Sequence, residues 1–214
     1  QFSNSSSLVI NKLMVPDDDD GYMSINLTSG TSGTSGSDFI VGKSSSESIS
    51  GGLGDDIIFG SAGNDTINGG NGYNSLYGGT GNDSLIGGIE EDSFSGGNGS
   101  DTINGGSGWD YAGYGEQSAG IIANFSGTVK TIGSVSLASQ TVYEKAYATT
   151  DTLIQINRID GTSYSDAYYG GATSTEDGGG FGFEGYQGND TIYSGAANSW
   201  MMVGYYCLVG LPII

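Results

Sequence analysis

The sequence contains no histidine, a single cysteine, two prolines and only five basic residues in 214 positions. Without an imidazole the chain cannot supply a His-ligated zinc hydrolase, a Ser-His-Asp triad or a Cys-His nucleophile, since each uses that ring as ligand or general base. Catalysis is not expected of these residues. Cys207 has no second cysteine to pair with, so no internal disulfide can staple the fold. The one long apolar run, 200–214, is broken by Gly204, Gly210 and Pro212 and falls short of the roughly 20 residues a membrane helix needs. No membrane span is read. Against 24 acidic residues the five basic ones leave a net charge of −19, which disfavours nucleic acid as a partner and invites cations.

Glycine is what the chain has in excess, at 41 positions, close to a fifth where about 7% is usual. It is not scattered. Glycine stands at 33, 42, 51, 60, 69, 78, 87, 96 and 105, opening nine consecutive units of nine residues. The sixth position of these units reads Asp38, Glu47, Asp56, Asp65, Asn74, Asp83, Asp92, Asp101 and Asp110, and the eighth reads Ile40, Ile49, Ile58, Ile67, Leu76, Leu85, Phe94, Ile103 and Ala112. One acidic group and one apolar group recur.

Each unit therefore reads as a glycine-rich turn followed by about three residues of strand whose middle side chain faces inward. Two units make one 18-residue coil of a parallel solenoid. The apolar positions then stack as two facing ladders, Ile40, Ile58, Leu76 and Phe94 against Ile49, Ile67, Leu85 and Ile103. One medium apolar side chain per unit makes a thin core for the conformational entropy it must offset, so a further ligand is expected to hold the coils together. An acidic linker without structure would share the composition, but not the period.

The segments GGLGDDIIF at 51–59, GSAGNDTIN at 60–68, GGTGNDSLI at 78–86 and GGNGSDTIN at 96–104 resemble the nonapeptide repeats of the repeats-in-toxin (RTX) calcium-binding proteins of the haemolysin type. The likeness returns at GYQGNDTIY, 185–193. It implies an all-β fold, a parallel β-roll with interrupting β-rich spacers, in which Ca²⁺ lies between successive turns on one edge. The implied ligands are the sixth-position side chains Asp38, Asp56, Asp65, Asn74, Asp83, Asp92, Asp101 and Asp110, then Asp190, with carbonyls of the glycine-rich turns such as Gly60, Gly63, Gly78, Gly81, Gly96 and Gly99. It also implies secretion by a type I system and an extracellular location. The expected organisation is the end of an upstream spacer at 1–32, a nine-unit roll at 33–113, a β-rich spacer at 114–160, a degenerate second block at 161–193, and a tail at 194–214 that is a cap, an export signal or a point of truncation.

Glycine suits such turns because backbone carbonyls approach a cation closely where no Cβ intervenes, and hard divalent cations take six to eight oxygens. With two units per coil the acidic residues fall on two edges, Glu47, Asp65, Asp83 and Asp101 on one, Asp38, Asp56, Asn74, Asp92 and Asp110 on the other. The best ions are expected between Asp65 and Asp83 and between Asp83 and Asp101, where Gly63, Gly81 and Gly99 all keep the fourth position. Weaker sites are expected beside Asn74, whose amide is neutral, beside Glu90, which replaces a turn glycine, and between Glu47 and Asp65. About five to seven ions would cancel about 10 to 14 of the negative charges.

Outside the repeats, 121–125, 128–137 and 152–159 read as short strands. The acidic run Asp17 to Asp20 lacks ligands at the first and twelfth places of an EF-hand loop, occupied by Pro16 and Leu27, and reads as solvated. The expected function is calcium binding by a secreted roll that folds on Ca²⁺ and serves as a structural or adhesive surface module, with polysaccharide or a cell surface as partner. The alternative is the accessory module of a secreted protease, lipase or polysaccharide epimerase. A minor one is an ice-binding face made by the outward ladder of Ser48, Thr66, Ser84 and Thr102.

Overall fold

The computed structural model describes residues 14–16, 22–26, 31–170, 182–193, 200–203 and 206–209. Every regular element among them is a strand. The repeat region holds β3 (Asp38–Val41), β4 (Ser48–Leu53), β5 (Ile57–Ala62), β6 (Thr66–Asn71), β7 (Ser75–Thr80), β8 (Ser84–Gly88), β9 (Ser93–Asn98), β10 (Thr102–Gly106) and β11 (Tyr111–Gly113). Upstream, β1 (Met14–Pro16) pairs antiparallel with β2 (Tyr22–Asn26), and β2 lies parallel on β3.

Odd and even members separate. Strands β3, β5, β7, β9 and β11 are neighbours in one sheet, and β4, β6, β8 and β10 in a second. In the first, Ile40 faces Ile58, Ile58 faces Leu76, and Leu76 faces Phe94. In the second, Ile49 faces Ile67, Ile67 faces Leu85, and Leu85 faces Ile103. All eight side chains are buried, none more than 2% exposed. The chain is thus a parallel β-roll with an 18-residue coil, and its core is the pair of ladders the eighth positions anticipate.

The strands run longer than the sequence pattern suggests. Strands β4 to β7 and β9 have six residues, because the ladder continues through the glycines that open the next unit, as in the pairing of Gly52 with Gly70 and of Gly79 with Gly97. Glycine stays in the ladder while its φ is positive, 105° at Gly70 and 112° at Gly79, values that other residues rarely adopt.

After Gly113 the chain leaves the roll and then resumes it. Strands β12 (Ile121–Asn124), β13 (Lys130–Ile132), β14 (Val135–Leu137), β15 (Thr141–Glu144), β16 (Thr149–Ile154) and β17 (Arg158–Asp160) follow in sequence. Strand β16 lies parallel on β10, with Leu153 beside Ile103, and β17 lies parallel on β11, with Ile159 beside Ala112. Between them the chain turns at Gln155, whose φ is 52°, so 152–159 is two strands and not one. Likewise 128–137 is divided at Gly133, φ 62°, into the hairpin of β13 and β14.

Strands β15 and β12 extend the second sheet antiparallel from β16, and β18 (Ala167–Tyr169) and then β20 (Thr191–Tyr193) add to it in parallel. In the first sheet β19 (Gly182–Glu184) pairs directly with β17, followed by β21 (Trp200–Val203) and the antiparallel β22 (Tyr206–Val209). Ile121, Ala123, Val142, Leu153, Ile156, Ile159, Tyr168 and Phe183 carry the same buried core forward. The readings made for Asp17 to Asp20, for 171–181 and for most of 194–214 lie outside the described residues. Among the described residues no helix is long and apolar enough to cross a membrane.

Candidate metal centre

The sixth position of each unit sits where the turn enters the strand, and there the backbone and side chain of successive coils interlock. The N–H of Asp65 donates to Oδ1 of Asp83 at 2.7 Å, and the N–H of Asp83 donates to Oδ1 of Asp101 at 2.7 Å. On the other edge the N–H of Asp38 donates to Asp56 at 2.8 Å, that of Asp56 to Asn74 at 3.1 Å, that of Asn74 to Asp92 at 2.8 Å and that of Asp92 to Asp110 at 2.9 Å. Glu47 joins the first edge by donating its N–H to Asp65 at 2.7 Å. The division into two edges is therefore as the 18-residue coil requires.

Each of these bonds uses one side-chain oxygen, a carboxylate oxygen everywhere but at Asn74. The second, Oδ2 of Asp56, Asp65, Asp83, Asp92 and Asp101, is buried and accepts no hydrogen bond. It is directed at the glycine that opens its own unit. A Cβ on Gly60 would lie 2.8 Å from Oδ2 of Asp65 and 2.5 Å from the carbonyl oxygen of Gly78, and one on Gly78 would lie 2.5 Å from Oδ2 of Asp83 and 2.5 Å from the carbonyl oxygen of Gly96. Carboxylate and carbonyl oxygens of adjacent coils converge there. Gly63, Gly81 and Gly99 stack in the same way, a Cβ at Gly81 meeting the carbonyl of Gly63 and one at Gly99 that of Gly81.

Such an arrangement is costly for bare carboxylates. Burial, opposed by the backbone hydrogen bond and reinforced by neighbouring carboxylates, pushes Asp56 from 3.8 up to about 7 and Asp101 to about 6. Burial likewise raises Asp92 to about 6, and raises Asp65 and Asp83. No basic side chain among the described residues relieves them. Lys43 pairs with Glu47 at 3.8 Å, Arg158 with Asp160 at 2.7 Å, and Lys145 donates to the carbonyl of Ser165 at 2.8 Å. Buried acceptor-only oxygens beside backbone carbonyls form an oxygen donor set, the kind that suits a hard divalent cation. Among the described residues no three acidic or thiol side chains are placed to hold a metal ion by themselves, so other oxygens, carbonyls above all, must complete any such set.

Two substitutions modify the second edge. Asn74 spends its amide on the carbonyl of Gly72, with Nδ2 donating at 3.0 Å, so a hydrogen bond meets an oxygen that faces a turn. Glu90 returns a carboxylate to the neighbourhood, its Oε2 accepting the N–H of Gly72 at 3.0 Å, and it contributes to raising Asp92.

Three further residues occupy the same rung positions. Asp151 follows Asp101, whose N–H donates to its Oδ1 at 2.8 Å, and Asn157 follows Asp110, whose N–H donates to its Oδ1 at 2.9 Å. No glycine period marks either. Asp166 accepts the N–H of Ile121 at 2.7 Å, the N–H of Thr162 at 2.8 Å and the hydroxyl of Thr162 at 2.9 Å, so both its oxygens are engaged. Asp190 continues from it, accepting the N–H of Asp166 at 3.0 Å through Oδ1 while its Oδ2 accepts none.

A two-sheet roll with oxygen ladders along its turns defines a class of repeat protein built around cations. The family described as RTX calcium-binding nonapeptide repeat matches at residues 32–67, 41–76, 59–94, 86–116 and 183–201. Those segments are copies of that family's repeat, which binds Ca²⁺ and serves as a structural unit, not a catalytic one. No curated protein matches the chain as a relative.

Proposed function

We propose that this chain is a secreted calcium-binding module whose roll assembles when Ca²⁺ is present, with ions held between Asp65 and Asp83 and between Asp83 and Asp101, and weaker binding along Asp38, Asp56, Asn74, Asp92 and Asp110. The observation that carries the reading is the row of buried Oδ2 atoms without a hydrogen-bond donor, repeated coil after coil beside turn carbonyls. A divalent cation bound there supplies the positive charge that this stretch of chain lacks. Asp83 stands at the centre because it accepts from Asp65 and donates to Asp101. Asp190 is the corresponding ligand in the later block.

Extracellular deployment follows from affinity. Modules of this kind bind at about 10⁻⁴ to 10⁻³ M, above cytosolic calcium and matched to the outside of a cell. Export through a type I system as an unfolded chain, with folding outside, is the corresponding route. A structural or adhesive role at the cell surface, toward polysaccharide, is favoured over service as an accessory to an enzyme because the outer face of the second sheet carries one regular polar row, beside a second row that Ile86 and Ile154 interrupt. Ser48, Thr66, Ser84 and Thr102 are in register there, and Thr152 continues them.

Circular dichroism during a calcium titration tests the proposal. A β spectrum that develops with millimolar calcium and disappears in chelator is the expected result. A spectrum indifferent to both overturns it.

A further inference from the structure

Where the roll meets the insertion, the regular turn is replaced by side chains. At Gly60 and Gly78 the atoms nearest a Cβ include the opening carbonyl oxygen of the next coil, whereas at Gly96 the three nearest all belong to its own Asp101. The coil after Asp101 has no glycine turn at this edge. In its place stand the hairpin between β15 and β16 and the segment that follows β11.

Their side chains form a closed acidic group. Asp101, Asp151 and Glu144 are no more than 1% exposed, and Gln117 is 8% exposed. Asp151 accepts the N–H of Asp101 at 2.8 Å on Oδ1 and the hydroxyl of Tyr114 at 2.9 Å on Oδ2. Glu144 accepts the Gln117 amide at 2.7 Å on Oε1 and the Thr149 hydroxyl at 2.9 Å on Oε2. The same Gln117 Nε2 also donates to the carbonyl of Gly97 at 3.2 Å. Every donor in this network is neutral. The nearest ammonium along the chain, on Lys145, is spent on the carbonyl of Ser165.

Two oxygens in the group accept nothing, Oδ2 of Asp101 and Oε1 of Gln117. Gln117 is held by its amide nitrogen against both Glu144 and the turn carbonyl of Gly97, which leaves its oxygen buried without a donor. An uncompensated trio of buried carboxylates is strongly unfavourable, and a hydrogen-bond network of neutral donors relieves only part of that cost.

We infer that the junction is a further calcium site, in which Asp101 Oδ2 from the roll is joined by Gln117 Oε1 and the Glu144 carboxylate from the insertion, with Asp151 as the adjoining charge. It rests on the calcium reading of the roll and extends it to residues outside the repeats. The inserted segment thereby becomes the lock on the last regular coil, and the site continues the edge of Asp65, Asp83 and Asp101.

A crystal of the whole chain grown in calcium, with anomalous scattering to locate the ions, separates this inference from the reading beneath it. Density for an ion bonded to Asp101 Oδ2 and Gln117 Oε1 is expected. Ions between Asp65, Asp83 and Asp101, with only water or nothing at Gln117, overturn the inference and leave the roll's calcium intact. No ion anywhere removes both. In solution, equilibrium dialysis with ⁴⁵Ca²⁺ should give Glu144→Gln one bound ion fewer than the parent, and an unchanged count overturns the junction site. If Glu144→Gln does not fold, Gln117→Glu replaces it. The added carboxylate should tighten one ion, and unchanged or weaker binding of every ion counts against the site.

Discussion

The backbone N–H of Asp101 donates to Oδ1 of Asp151 at 2.8 Å, across a sequence separation of 50 residues, although every earlier rung of this edge joins residues 18 apart. The insertion is thus stitched into the ladder by the same bond that links ordinary repeats. Asp151 is as much a rung as Asp83.

Replacing Asp151 with alanine leaves the N–H of Asp101 and the hydroxyl of Tyr114 buried without their acceptor. The loss should be about 1–3 kcal/mol for each donor stranded. Urea unfolding in saturating calcium measures it, and a change of a few tenths of a kcal/mol would show that the junction does not couple the insertion to the roll.

Asp83 lies between two coils, while Asp38 stands at the start of its edge in the repeat region. Asp83→Ala should therefore raise the calcium midpoint for folding more than Asp38→Ala does. Titration of both variants by circular dichroism decides the matter. Equal shifts would mean that the edge is not read as shared sites.

Without metal, acid should favour the roll. Asp56 rises from 3.8 to about 7 and Asp92 and Asp101 to about 6 in the fold, chiefly through burial, whereas in the unfolded chain they return to ordinary carboxylate values. Glu144, at about 7, and Asp151, at about 8, shift in the same direction, again chiefly through burial. Between about pH 4 and pH 7 the folded state consequently holds more protons than the unfolded one, so metal-free stability falls as pH rises. In chelator, β structure should be greater near pH 4.5 than near pH 8. The reverse order would contradict the buried, repelling ladder.

Asn74 interrupts the second edge with an amide that satisfies the carbonyl of Gly72. Asn74→Asp restores a carboxylate between Asp56 and Asp92, close to Glu90, and makes the edge more dependent on bound cations. The variant should bind calcium more tightly, yet be less structured than the parent in chelator. Calorimetric titration together with apo circular dichroism distinguishes this from a neutral exchange, in which neither quantity moves.

The repeat region was legible because each unit carries its own signals. Gly60, Asp65 and Ile67 identify turn, rung and core without reference to any distant residue, and the observed pairing of Ile49 with Ile67 and Leu85 follows from spacing alone. Asp151 and Asn157 were not legible. They stand six residues apart in the sequence, not nine, with Gln155 at positive φ in place of a glycine turn, and only register with β10 and β11 reveals their role. Glu144 was hidden for a related reason, since an antiparallel hairpin brings it to the edge and no nonapeptide does. The length of the strands was also missed, because glycine reads as a breaker until its pairing partner is another glycine one coil away.

Between β16 and β18 the second sheet accommodates β15 and β12, while in the first sheet β17 touches β19 with nothing interposed. Two added strands amount to roughly 10 Å of width on one side only. A pile of identical rungs grows as a straight rod. A wedge of that size leaves the two walls of the roll unequal in width where the insertion sits.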